Sequence, residues 1–235
     1  MASSFSLSAT EVGERLASIR ERIGAACTRA GRSPDSVELV AVSKGQSPDA
    51  VKTAAELGLR LFGENKVQEG RTKIPLCPGH LRWHMIGHLQ TNKVRDAVRC
   101  FEMIHSVDSL RLATEIDDAA RKAAKRVAVL IEVNVAGEST KFGYKPDELL
   151  AELEALNALN RLELRGLMGM APWSPEPERA KAVFSRLREL KTSCEERLGA
   201  PLEHLSMGMS GDFEVAIEEG ATLVRIGTAL FGARA

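Results

Sequence analysis

The sequence lacks the features that mark membrane-spanning, secreted or disulfide-linked proteins. No apolar run in its 235 residues approaches the length that spans a bilayer, and residues 1–10 contain neither the basic nor the apolar region of a secretory signal. The four cysteines lie far apart without a C-x-x-C pair, which indicates reduced thiols rather than disulfides or zinc ligands. They are Cys27, Cys77, Cys100 and Cys194. We therefore expect a cytoplasmic protein that does not associate with membranes.

An excess of either charge is also lacking, because the sequence has 32 basic and 32 acidic residues. This balance gives no general attraction to nucleic acid, although a local basic face would be compatible with it. A glycine-rich dinucleotide-binding loop after an early strand is missing as well, since the glycines of residues 208–211 match that pattern only loosely. Neither nucleic-acid binding nor a Rossmann-type sheet is therefore expected.

What the sequence does contain is a strict alternation of short apolar runs and longer amphipathic stretches. A first helix is predicted over residues 8–30, where apolar residues recur at helical spacing and Gly31 follows as a stop. Eight strand–helix units come next, with strands at residues 37–42, 59–63, 81–86, 101–105, 127–135, 162–168, 202–207 and 221–226. This pattern predicts an α/β fold, a single (β/α)8 barrel of the TIM type, with an open doubly wound sheet as the competitor. Because no linker divides the chain, residues 1–235 are expected to form one domain.

Polar and glycine residues concentrate at the carboxyl ends of the predicted strands, where a (β/α)8 barrel binds its ligands. The opposite ends carry only charges and polar caps typical of a solvated edge. The carboxyl ends hold Ser43, Lys44, Glu64, Asn65, His84, His88, His105, Ser106, Asp108, Asn134, residues 168–170, residues 206–211 and residues 225–228. This asymmetry is the strongest functional signal in the pattern.

Lys44 directly follows the first strand. Partial desolvation there would lower the pKa of the amine and make it a nucleophile toward a carbonyl, whereas an ordinary solvated charge is the alternative. The last two strand ends combine glycine with a hydroxyl at Ser210–Gly211 and Gly227–Thr228. Such loops bind phosphate in barrels, although each hydroxyl could simply be a helix N-cap.

The first and last strands are neighbours in a closed barrel, so the lysine and the phosphate cradle would lie side by side. That pairing indicates pyridoxal 5′-phosphate (PLP), held through its aldehyde and its phosphate. Arg225 would then face the pyridine nitrogen and leave it unprotonated, unless its guanidinium forms an interior ion pair.

Metal binding is not predicted. His84 and His88 form the one pair with ligand-like spacing, and no third ligand lies near them. Four methionines are interpreted as barrel filling and pocket lining rather than as a copper site. They are Met168, Met170, Met207 and Met209.

Six motifs across residues 8–232 resemble those of the pyridoxal phosphate homeostasis proteins, the proline synthase co-transcribed family. They are VAVSK at 40–44, FGENKVQE at 62–69, WHMIGHLQTNK at 83–93, LMGM at 167–170, LSMGMSGD at 205–212 and RIGTALFG at 225–232. Met85, Gly87 and His88 depart from the usual third-strand motif, which we interpret as a local variation. The resemblance implies a barrel similar to the N-terminal domain of alanine racemase.

The resemblance also implies roles for individual residues. Lys44 would form the Schiff base, Arg225 would lie at the ring nitrogen and Asn65 beside the cofactor, with the phosphate on Ser210, Gly227 and Thr228. The complete set expected to bind PLP is Lys44, Asn65, Ser206, Met207, Ser210, Gly211, Arg225, Gly227 and Thr228.

The family implies a role in vitamin B6 homeostasis without an established reaction, so we expect a monomeric PLP carrier with no catalytic residues. PLP-dependent apo-enzymes would be its recipients. The alternative is an amino-acid racemase, which needs an acid/base group on each face of the cofactor. Lys44 could serve one face. Tyr144, interpreted as a loop anchor, and the weaker candidates His84 and Lys141 could serve the other. A cofactor-free interaction module would leave the clustering at the strand ends without a cause.

Overall fold

The computed structural model describes residues 8–138 and 142–232; Lys141 lies outside this part of the chain. Eight parallel strands form a closed barrel in the order of the sequence, which confirms the predicted fold. The strands are β1 Glu38–Val42, β2 Leu61–Glu64, β3 Arg82–Met85, β4 Met103–Val107, β5 Val127–Val133, β6 Leu162–Gly169, β7 His204–Ser206 and β8 Leu223–Ile226.

Helices surround the barrel, most of them between consecutive strands. In the described part of the chain the α-helices are α1 Ala9–Arg29, α2 Pro48–Glu56, α3 Val67–Lys73, α4 Val94–Cys100, α5 Leu110–Lys122, α6 Pro146–Asn157, α7 Lys181–Leu198, α8 Phe213–Glu218 and α9 Thr228–Phe231. Short 3-10 turns occupy Pro34–Ser36, Ile74–Leu76, Thr91–Lys93 and Pro177–Ala180. None of the helices described is both long and apolar enough to cross a bilayer.

The extra N-terminal helix α1 closes the outer ring of helices. Ser8 and Glu11 form a capping box at its start, in which each side chain satisfies a backbone N–H of the other residue. Its buried face packs against α8, α9 and α2. Arg22 adds two hydrogen bonds of 2.8 Å to Glu214 and lies 4.5 Å over the ring of Phe213. The helix thereby covers the side of the barrel where the last and first strands meet.

The core has two layers because strand side chains alternate between the two faces of the barrel. The larger layer fills the space between strands and helices. A smaller apolar cluster lies inside the barrel and consists of Val40, Leu61, Met103, Leu130, Met168 and Leu223. Met168 thus fills the barrel, as the sequence suggested.

Strand β4 differs from the prediction. Helix α4 continues to Cys100, and the N–H of Phe101 still donates to the carbonyl of Ala97, so the strand begins only at Met103. The strand then continues to Val107, so Ser106, which was expected beyond it, lies inside it, and both Ser106 and His105, the expected last strand residue, are fully buried. The short helix α9 after the last strand was not predicted.

Ion pairs link the charged residues at the amino-terminal end of the barrel. Arg82 contacts Glu38 at 2.7 Å and Glu102 at 3.0 Å, which joins the edges of β1, β3 and β4. Arg165 contacts Glu163 at 2.6 Å and also pairs with Glu203. These side chains remain partly exposed, as expected for residues at a solvated edge.

Candidate functional site

A cavity of about 390 Å³ opens at the carboxyl ends of the strands. It brings together seven of the nine residues predicted to bind a cofactor: Lys44, Asn65, Ser210, Gly211, Arg225, Gly227 and Thr228. Ile86, Met170, Trp173 and Met209 give the cavity an apolar wall. Trp173 is 87% exposed, so its indole stands on the rim.

Ser206 and Met207 do not line the cavity. Both are fully buried. The hydroxyl of Ser206 lies behind the wall, in contact with Arg225, whereas the side chain of Met207 packs into the core between strands and helices. The N–H of Met207 already donates to the carbonyl of Leu223. Direct contact of either residue with a ligand stays a prediction.

The loops after β7 and β8 meet at the edge of the cavity. The Oγ of Ser210 accepts a hydrogen bond of 3.2 Å from the N–H of Ala229, which ties one loop to the other. At Gly227 an added Cβ would lie 3.3 Å from the carbonyl oxygen of Val42, so the glycine allows the β8 turn to approach the end of β1 closely. Small residues and a hydroxyl thus leave room for an anion beside Lys44.

Arg225 forms the floor of the cavity. Its guanidinium donates 2.6 Å to the Oγ of Ser206 and 3.1 Å to the carbonyl of Gly169. Burial lowers the pKa of Arg225 to about 10, opposed by the charges of Glu132 and Asp212. The group therefore stays cationic at neutral pH. Its hydrogen bonds go to a hydroxyl and a carbonyl rather than to a carboxylate, so the interior ion pair considered from the sequence does not form within the described residues.

A buried chain of hydrogen bonds continues from Arg225 into the barrel. Ser206 Oγ lies 2.9 Å from His105 Nδ1, and His105 Nε2 lies 2.9 Å from His84 Nδ1. Because a guanidinium only donates, we assign the Ser206 hydroxyl as donor to His105, and His105 in turn as donor to His84. Burial lowers the pKa of His84 to about 3 and that of His105 well below its ordinary value, so both rings are neutral.

These hydrogen bonds place His84 away from the role of acid or base that was considered from the sequence. The ring is fully buried inside the barrel and cannot serve as an acid or base at the mouth. Its Nε2 has no hydrogen-bond partner among the described residues. Sequence reasoning missed the chain, although the alternation of side chains along β3, β4 and β7 would have placed these polar groups on the inner face.

The other candidates lie away from the cavity. Tyr144 is buried, and its hydroxyl donates 2.8 Å to Glu152, so it anchors the loop. Burial and this contact raise the pKa of Tyr144. His88 stacks on Phe142 and pairs with Asp108 at 3.1 Å rather than joining His84. Among the described residues no three potential metal ligands come together.

Sequence comparison identifies the relatives of the chain. The family model described as the N-terminal domain of alanine racemase matches residues 15–235. A protein of Aquifex aeolicus named pyridoxal phosphate homeostasis protein is 46% identical over 94% of this chain and 97% of its own length. A protein of the same name from Escherichia coli is 41% identical over 95% and 97%.

The chain belongs to the pyridoxal phosphate homeostasis protein family. Solved structures agree with this assignment. PipY of Synechococcus elongatus with PLP bound has a TM-score of 0.83 and 38% identity, covering 94% of this chain and all of that one. An alanine racemase of Clostridium difficile matches 57% of its own length at 16% identity and a TM-score of 0.75, and so shares the fold alone.

We expect Glu132, on the inner face of β5, to make the free energy of unfolding depend on pH. Burial and the charge of Asp108 raise the pKa of Glu132 to about 7, opposed by Arg225. A raised carboxyl pKa stabilises the fold below the unfolded pKa of about 4.5, and this contribution is lost as the pH rises through 7. Glu132→Gln mimics the protonated form. We expect it to raise the free energy of unfolding by up to about 3 kcal/mol at pH 8 and by little at pH 4.5.

Urea denaturation across this pH range measures the effect, with the exposed Glu14→Gln as control. An equal difference between wild type and Glu132→Gln at pH 5 and pH 8 would contradict the assignment.

Proposed function

We propose that this protein is a PLP-binding homeostasis protein that holds PLP in the cavity as a Schiff base on Lys44, without catalytic turnover. The proposal rests on three features that meet in a single cavity. They are the Lys44 amine, the Arg225 guanidinium and the two glycine-containing loops at residues 210–211 and 227–228. The names of its relatives and the PLP-bound structure of PipY support the same ligand.

The cavity fits the three functional groups of PLP. Its volume of about 390 Å³ falls within the range of roughly 300–1,000 Å³ usual for small-molecule sites. Lys44 would hold the aldehyde, the Ser210–Gly211 and Gly227–Thr228 loops the phosphate, and Arg225 the pyridine nitrogen. When bound, PLP supplies an aldehyde for reversible imine formation and a ring that can withdraw electrons.

Arg225 limits that electron withdrawal. Its guanidinium has no acceptor and stays charged, so it would donate to the ring nitrogen and keep a proton off it. Ser206 and Gly169 hold two of its N–H donors and thereby fix its plane. An unprotonated ring stabilises carbanions only weakly, which is compatible with a carrier.

The wider setting is also part of the proposal. We propose one domain over residues 1–235, a monomer, a cytoplasmic location and PLP-dependent apo-enzymes as recipients. The four unpaired thiols support a reducing compartment. The open mouth, with Trp173 and Met209 on its rim, would let the ligand leave without unfolding.

Amino-acid racemisation is the alternative, favoured by the likeness to the alanine racemase barrel. It requires a second acid/base group opposite Lys44. Among the described residues that line the cavity, the other ionisable side chains are Asp212 and Arg225. Asp212 accepts a hydrogen bond of 2.6 Å from the N–H of Met209, and Arg225 cannot release its proton, so the carrier is the better supported function.

Lys44→Ala should abolish the visible absorption of the PLP-loaded protein, because the imine needs the amine. Lys66→Ala, an exposed lysine outside the cavity, should retain it. Spectra after saturation with PLP and removal of excess, followed by borohydride reduction and peptide mass spectrometry, check both variants. A wild-type protein without a chromophore, or an unchanged band in Lys44→Ala, would refute the proposal.

The combined variant Ser210→Ala, Thr228→Val should weaken PLP binding about 100-fold or more, since each of the two hydrogen bonds to a charged group contributes about 1.5–3 kcal/mol. Binding of pyridoxal, which has no phosphate, should change less than about threefold because those hydroxyls then face no anion. Titrations of both ligands measure the ratio. Equal losses for the two ligands would place the phosphate elsewhere.

Carrier and racemase are separated by exchange of the amino-acid α-proton. Single enantiomers in deuterated water should exchange no faster with the wild-type protein than with free PLP at the same concentration. NMR follows the loss of the α-proton signal. Exchange well above free PLP that disappears in Lys44→Ala would establish the racemase instead.

A further inference from the structure

Helix α3 ends in a buried lysine that contacts the segment carrying Lys44. Lys73 is 5% exposed, and its Nζ donates three hydrogen bonds of 2.7 Å, to the carbonyl oxygen of Ser43, to Glu64 and to Glu69. An ammonium group has three donors, so all of them are used. A buried lysine with fully satisfied donors is a fixed structural element rather than a mobile charge.

Glu69 carries the same network to the other side of Lys44. Its Oε1, the oxygen that accepts from Lys73, also accepts a hydrogen bond of 2.6 Å from the N–H of Gly45. The Ser43 carbonyl belongs to the peptide unit before Lys44, and the Gly45 N–H belongs to the peptide unit after it. Because each peptide unit is planar, holding both of them restricts the two backbone torsions of Lys44.

The strand side of the network is equally buried. Ser43 is fully buried, its Oγ donates 2.7 Å to Glu64, and its N–H donates 3.0 Å to the carbonyl of Gly63. Burial raises the pKa of Glu64, and Lys73 opposes that rise. A buried carboxylate and ammonium gain little net stability as a pair, so stability alone does not account for the arrangement.

We propose that Lys73 and Glu69 are positioning residues that hold the backbone of Lys44 so that its side chain leaves β1 toward the cavity. This inference rests on the proposed function, in which Lys44 binds the aldehyde of PLP. An amine on a fixed backbone loses less conformational freedom when it captures a ligand, which favours binding. Neither Lys73 nor Glu69 lines the cavity, so they act through Lys44.

The test compares Glu69→Ala with Glu69→Gln. Alanine removes the acceptor for Gly45, whereas the glutamine amide oxygen can still accept from Gly45 and Lys73. Glu163→Ala is the matched control, because Glu163 has 28% side-chain exposure against 27% for Glu69, contacts two arginines and lies at the opposite end of the barrel. Lys73→Met is a stronger second variant.

Two measurements are made on each variant. Hydrogen exchange of the Gly45 amide in the PLP-free protein directly reports its hydrogen bond to Glu69. The concentration of PLP at half-saturation, read from the visible band, reports its consequence for binding. We expect Glu69→Ala to exchange Gly45 at least about tenfold faster and to need at least about tenfold more PLP, the size of change that losing one hydrogen bond to a charged group produces.

Glu69→Gln should remain within about twofold of wild type in both measurements, and Glu163→Ala should change neither. Lys73→Met removes the donor to the Ser43 carbonyl while Glu69 can still accept from Gly45, so it should also need at least about tenfold more PLP. Unchanged Gly45 exchange in Glu69→Ala, PLP binding within twofold of wild type, or an equal loss in Glu163→Ala would overturn the positioning role. A wild-type protein that forms no chromophore would overturn the proposed function itself, whatever the exchange rates.

Discussion

The pairing of β1 with β8 is the constraint on which the site depends. Four residue pairs, from Glu38 with Leu223 to Ala41 with Ile226, join the first strand to the last and close the barrel. Closure places the loop of Lys44 next to the turn of Gly227 and Thr228, although these residues are far apart in sequence. An open sheet with the same strand order would leave the Lys44 amine and the loops at residues 210–211 and 227–228 on opposite edges.

The barrel interior is polar near its mouth and apolar below. Arg225, Ser206, His105 and His84 form a hydrogen-bonded column that contains no carboxylate. Such a column is stable because each donor meets an acceptor down to the last ring, whose Nε2 alone has none among the described residues. The column fixes the guanidinium that faces the cavity and connects it to the packing inside the barrel.

The strand pattern predicted the barrel and the carboxyl-terminal cluster because both follow from local periodicity and from the fact that parallel strands end at one rim. Which strand side chains face the barrel interior, and where each strand begins and ends, do not follow from the local sequence alone. Strand β4 begins two residues later than expected because α4 extends to Cys100 and Phe101 packs against Gly70, and it ends two residues later, at Val107. The role proposed for Lys73 could not be predicted from the sequence, since it depends on a hydrogen bond from a helix to Ser43, which lies 30 residues earlier in the chain.

The two rims of the barrel differ in how they hold charge. At the amino-terminal end, Arg82, Glu38 and Glu102 remain 41–48% exposed, whereas Lys73 and Glu64 near the mouth are 5% and 0% exposed. Dissolved ions screen exposed pairs strongly and buried pairs little. Changes in ionic strength should therefore act on the ion pairs of the amino-terminal rim and leave the Lys73–Glu64 pair next to the Lys44 segment almost unscreened.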